Sequence, residues 1–155
     1  MRIAAVIGVL LLAGCGETPG LCSDTVCAKL EGSYAMEYEP VTIESPDCAT
    51  VPGLAPPANV VLKRKGSEVT TSVSGIPARG FLQGTAEFSL LGTAGTDGGS
   101  DAGASTYTLR GYYAAGTAKP DAGIPPGRIL GKWITHAENG TRSCDAERPF
   151  TGTKQ

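Results

Sequence analysis

From Gly32 onward, apolar and polar residues alternate with a period of two, the pattern of a β-strand with one face buried. The first predicted strand places Tyr34, Met36 and Tyr38 on one face, separated by polar or small residues. The same alternation predicts further strands over residues 60–64, 68–73, 81–91, 106–113, 128–136, 141–144 and 149–153. The chain is therefore expected to be built from β-strands.

The connections indicate an antiparallel order. Lys65-Gly66 and Asn139-Gly140 are hairpin signals, because glycine tolerates the backbone angles of tight turns. Residues 92–105 and 114–127 are rich in Gly and Ala and are predicted as loops. A short helical turn is expected between Leu21 and Leu30.

We predict an all-β antiparallel meander of seven or eight strands, closed into a barrel because closure hides the sheet edges. A β-sandwich of two sheets is the alternative. Gly32-Ser33-Tyr34, at the head of the first strand, resembles the Gly-x-Trp start of lipocalin barrels, with Tyr in place of Trp. That resemblance implies a lipocalin-like barrel.

The N-terminal segment has a different pattern. Arg2 precedes an apolar run from Ile3 to Leu12 that contains no polar side chain, and two small residues then precede Cys15. The run is too short to cross a bilayer, which takes roughly 20 apolar residues. It fits the hydrophobic region of a secretory signal peptide.

Leu12-Ala13-Gly14-Cys15 resembles the lipobox of bacterial lipoproteins. The resemblance implies removal of residues 1–14, a lipidated Cys15 carrying palmitate-type acyl chains, a tether over 15–21 and a single β-domain over 22–155. It also implies a protein of the bacterial cell envelope whose membrane contact is the acylated Cys15. Gly16, in place of Asp, favours the outer membrane.

Four cysteines remain beyond Cys15, namely Cys22, Cys27, Cys48 and Cys144. An even number in an exported domain indicates two disulfide bonds. In a closed meander the last strand returns beside the first, which brings Cys48 and Cys144 to the same rim. We therefore predict Cys48–Cys144 and Cys22–Cys27. No metal site is expected, because the cysteine spacing does not suit zinc and His136 is the only histidine.

The net charge and the sequence motifs argue against several classes of function. The formal net charge is −2, and no basic cluster is longer than Lys63-Arg64-Lys65, so nucleic acid is not an expected partner. A single imidazole without a recognisable nucleophile or cofactor fingerprint argues against an enzyme and against a cofactor. The candidates for a ligand pocket are the aromatic residues on the predicted inward faces: Tyr34, Tyr38, Phe88, Tyr107, Tyr113 and Trp133.

These observations favour a non-catalytic, membrane-anchored envelope lipoprotein with a binding or structural β-domain. One alternative is a lipocalin-like carrier of a small apolar ligand, and another is an inhibitor of envelope proteases. The expected partners are the membrane and either an apolar ligand or an envelope protein. A carrier would need a cavity open at one end, and an inhibitor would need a protruding ordered segment.

Overall fold

A computed structural model describes residues 28–51, 53–84, 86–94, 105–116 and 126–155. The signal peptide, Cys15 and the predicted Cys22–Cys27 bond lie outside these residues. The described part contains two 3-10 turns, Ala28–Leu30 and Pro46–Ala49, and no α-helix. Its strands are β1 (Gly32–Tyr38), β2 (Ile43–Glu44), β3 (Asn59–Lys65), β4 (Glu68–Val73), β5 (Ile76–Gln83), β6 (Glu87–Ala94), β7 (Ser105–Ala114), β8 (Arg128–Asn139) and β9 (Arg142–Lys154).

The strands form one closed antiparallel barrel. From β3 to β9 each strand pairs with the next along the chain, β1 pairs with β3, and β9 returns to pair with β1. The two residues of β2 pair with β9 beyond the end of β1 and take no part in the closure. Eight strands therefore make the barrel wall. The closed meander is confirmed, and the two-sheet sandwich is wrong.

Side chains fill the interior of the barrel. Tyr107 stacks on Trp133 with 4.8 Å between ring centroids, and Gly92 lies directly opposite Tyr107 on the neighbouring strand. A Cβ at Gly92 would collide with the Tyr107 ring, so glycine makes room for the large side chain. The side chains at the centre of this core are exposed by 2% or less. They are Tyr34, Val60, Leu62, Val69, Val73, Phe88, Leu90, Tyr107, Leu109 and Trp133.

Two predicted strand boundaries are wrong. Residues 81–91 were predicted as one strand, but β5 ends at Gln83 and β6 begins at Glu87. Gly84 adopts a φ of +60°, which side chains other than glycine rarely tolerate, and this reverses the chain. Phe81 is 57% exposed on the outer face of β5, next to the buried Leu82. Residues 141–144 and 149–153 were predicted as two strands, but Arg142–Lys154 is the single strand β9 and Thr141 belongs to the turn before it.

Candidate functional site

One end of the barrel is covered by the segment that follows β2. The disulfide Cys48–Cys144 joins the 3-10 turn at Pro46–Ala49 to β9 and confirms the predicted pair. Ser45 is hydrogen-bonded to Asp145 in both directions, through its own N–H (2.9 Å) and through its Oγ, which accepts from the Asp145 N–H (2.8 Å). A covalent bond and two hydrogen bonds therefore hold this segment on β9.

We call residues 45–51 and 53–57 the capping segment. Val51 is buried against Ala137 and Cys144, and the Tyr38 hydroxyl donates to the Pro57 carbonyl at 3.0 Å. Gly53 lies so close to Thr135 that a Cβ there would come within 2.8 Å of the Thr135 Oγ1. The capping segment thus contacts inward-facing residues of β8 and β9 at this end of the barrel.

Beneath the capping segment lies a cavity of about 190 Å³, which we call the end pocket. Its walls come from β2, β8, β9 and the capping segment. The lining residues are Glu44, Cys48, Gly53, Leu54, Pro56, Trp133, Thr135, Cys144, Ala146 and Arg148. Polar and apolar side chains therefore both line the end pocket.

Three residues that carry hydrogen-bond donors line the end pocket. Trp133 is 2% exposed, and its Nε1 has no hydrogen-bond partner among the described residues. Arg148 lies directly opposite Trp133 in the β8–β9 register and is partly buried. No hydrogen bond or ion pair joins its guanidinium to the rest of the described structure. Thr135, on the same inward face two residues from Trp133, is 3% exposed.

The predicted aromatic pocket residues all lie on the inward side of the barrel. Tyr34, Phe88, Tyr107 and Trp133 are fully buried, while Tyr38 and Tyr113 are partly buried and pack against the same core. The Tyr34 hydroxyl donates to the Leu30 carbonyl at 2.6 Å, and burial raises the pKa of this tyrosine. Of the six, only Trp133 lines the end pocket, and a pocket lined by all of them stays a prediction.

Sequence reasoning missed Arg148 and Thr135 as site residues. Arg148 lay in the gap between two predicted strands, so it had no predicted face. The inward pattern of β9 continues through Cys144, Ala146, Arg148 and Phe150, and this unbroken alternation was the available signal. Thr135 lies two residues after Trp133 and was therefore predictable as inward-facing, but a threonine at such a position does not by itself indicate a ligand site.

A second, larger concavity of about 470 Å³ lies on the outer face of β6–β9. Tyr112 is 48% exposed there, and Lys132 forms an ion pair with Glu147 at 2.6 Å. Leu91 and Phe81 add further exposed apolar surface on the same side. This outer groove mixes apolar and charged groups without a buried, unpaired polar atom.

His136 lies on the outer surface, on the same face of β8 as Lys132 and Ile134. Its Nδ1 is 2.7 Å from an Asp145 carboxylate oxygen, and its Nε2 is 2.9 Å from one of Glu138. Both ring nitrogens are thus held by carboxylates. These hydrogen bonds, that of Asp145 first, raise the pKa of His136.

We expect the His136 imidazole to titrate above its ordinary value of 6.5. Because the pKa of His136 is higher in the folded than in the unfolded protein, the protonated imidazole stabilises the folded state. This stabilisation is fully present below pH 6.5 and is lost as the pH rises through the pKa of the folded protein. NMR titration of the ring protons measures this pKa directly. Asp145→Asn should move the titration back towards the ordinary value, and an unchanged midpoint in that variant would contradict the assignment.

Comparison with protein-family models, curated proteins and solved structures found no match for this chain. Within the described residues, no helix has the length and apolar character needed to cross a membrane. In that same part of the chain, no group of three or more His, Cys, Asp or Glu side chains is placed to hold a metal ion. Fold and site together define the class: an eight-stranded closed antiparallel barrel with a disulfide-held cap over one end.

Proposed function

We propose that this chain is a non-catalytic, lipid-anchored protein of the bacterial envelope, and of its outer membrane, whose barrel binds a ligand. The observation that carries the binding role is the end pocket. There, the indole N–H of Trp133 and the guanidinium of Arg148 have no partner in the described structure. A buried donor such as the Trp133 indole N–H is normally satisfied, so its unpaired state beside the partly buried Arg148 suits a bound acceptor.

The anchor is supported by the sequence of the first 15 residues, from Arg2 through the apolar run to Leu12-Ala13-Gly14-Cys15. The Cys48–Cys144 disulfide agrees with export, because structural disulfides persist in oxidising compartments. The first strand starts at Gly32, so sixteen residues lie between the proposed lipidation site Cys15 and the barrel. Since a chain of that length spans at most about 60 Å, the barrel would stay within that distance of the membrane surface.

Cys15→Ser should abolish acylation and block the maturation cut, because serine cannot form the thioether that carries the diacylglycerol. Metabolic labelling with a clickable palmitate analogue measures this. Cys22→Ser is the matched control, since it makes the same substitution seven residues further along and should keep the label. Label retained on Cys15→Ser would reject the lipid anchor.

A lipocalin-like carrier is the second candidate. It is favoured by the closed eight-stranded meander and by Gly32-Ser33-Tyr34 at the start of β1. Because core side chains fill the interior, a carried ligand would occupy the end pocket rather than the middle of the barrel. The protease-inhibitor alternative is supported by no feature of the described residues.

A further inference from the structure

We propose that the end pocket binds a small organic monoanion, a single carboxylate on a short apolar body. The carboxylate would accept from the Trp133 Nε1–H, the Thr135 hydroxyl and the Arg148 guanidinium. The inference rests on the proposed binding role of the barrel and is independent of the lipid anchor.

The donors require an acceptor of negative charge. The indole N–H and the guanidinium can only donate, so neither can satisfy the other. A water molecule would satisfy the indole, but it would add no negative charge beside the partly buried Arg148, with which the exposed Glu44 forms no ion pair. A carboxylate supplies two acceptor oxygens and the missing charge, and guanidinium–carboxylate pairs are among the stronger hydrogen bonds in proteins.

The apolar walls and the volume of the end pocket limit the polarity and the size of the rest of the ligand. Leu54, Pro56 and Ala146 line the end pocket beside the disulfide, so the body of the ligand meets apolar surface. About 190 Å³ is less than the roughly 300–1,000 Å³ of pockets for drug-sized ligands. The pocket therefore suits a carboxylate with a short hydrocarbon chain.

Glu44 sets the preference for one negative charge. This residue of β2 lines the same pocket and is exposed. Its carboxylate is screened by water, so it weakens the binding of an anion without preventing it. A second ionised group on the ligand would add to this repulsion, and a monoanion is favoured over a dicarboxylate.

Trp133 provides the probe, because it is the only tryptophan in the chain. The protein, purified in detergent from the full-length gene product, is titrated with sodium hexanoate at constant ionic strength, and the indole fluorescence is recorded. We expect a saturable change with hexanoate and none with hexylammonium chloride. 1-Hexanol reports any effect of the hydrocarbon chain alone and is expected to produce no saturable change.

Variants of Arg148 and Glu44 test which side chain binds the anion and which repels it. Arg148→Gln should weaken hexanoate binding about tenfold or more, because a hydrogen bond to a charged group is lost together with the charge. Glu44→Gln should strengthen binding a few-fold by removing the repulsion at the rim. Arg128→Gln is the matched control, since this exposed arginine of β8 does not line the end pocket and should leave binding unchanged.

Circular dichroism and the melting temperature of Arg148→Gln check that the variant is folded. Equal weakening by Arg128→Gln, or tighter binding of hexylammonium than of hexanoate, would overturn the inference. A saturable response to hexanol that equals the response to hexanoate would also overturn it, while leaving a binding role for the barrel. No response to any of these probes would count against both proposals, and the label on Cys15 would still test the anchor.

Discussion

Loss of the Cys48–Cys144 disulfide is expected to lower the free energy of unfolding by about 4–5 kcal/mol. The bond spans a sequence separation of 96 residues, so in the chain-entropy model it removes much of the freedom of the unfolded chain. The double variant Cys48→Ser/Cys144→Ser avoids leaving a free thiol. Urea unfolding followed by circular dichroism measures the change in free energy. Thermal unfolding should show a fall of roughly 10 °C or more in the melting temperature.

Cys22→Ser/Cys27→Ser is the control for this experiment. The predicted bond between these cysteines closes a far shorter loop, so the same model gives it a clearly smaller effect. Equal losses in the two double variants would contradict the argument from loop length. Peptide mapping without reduction is the companion measurement, and a peptide joining Cys22 or Cys27 to Cys144 would contradict the pairing itself.

The Cys48–Cys144 disulfide contributes both to the stability of the fold and to the shape of the end pocket. Cys48 belongs to the capping segment and Cys144 to β9, and both line the end pocket. Without the bond, Ser45 and Val51 still hold the capping segment through hydrogen bonds and buried apolar contacts. We infer that the pocket would become more open to water and that hexanoate binding would weaken before the barrel unfolds.

The wall of the barrel was predictable because each strand carries its own signal. A period of two at Tyr34, Met36 and Tyr38 is enough to say which face is buried. Closure followed from a general argument about sheet edges, and it led to the correct partner for Cys48. The boundary at Gly84 was missed because Gln83-Gly84-Thr85 continues the polar positions of the flanking strands.

The end pocket was not predictable from the sequence in the same way. Arg148 lies opposite Trp133 only through the register of β8 and β9, and Gly53 lies over Thr135 only because the chain folds back. These contacts join distant positions along the chain. Local alternation reports the face of a residue, but it does not report which residue of another strand meets it.

Leu90 and Leu91 provide the sharpest test of the strand faces. The two leucines are adjacent on β6, with exposures of 0% and 56%. Leu90 pairs with the buried Leu109, whereas Leu91 pairs with Thr108 on the outer side. We expect Leu90→Ala to lower the free energy of unfolding by about 2–5 kcal/mol, because it leaves a cavity in the packed barrel.

Leu91→Ala is the matched control and should change the free energy of unfolding by no more than about 0.5 kcal/mol, as substitutions at exposed positions usually do. Both variants are measured by urea unfolding, and unchanged slopes show that the same surface is exposed on unfolding. A shift of the β6 register by one residue would exchange the two faces, since successive side chains point to opposite sides of a sheet. A larger loss for Leu91→Ala than for Leu90→Ala would therefore contradict the pairing of β6 with both of its neighbours. It would also put in question the inward orientation of Trp133 and Arg148, which depends on the same alternation.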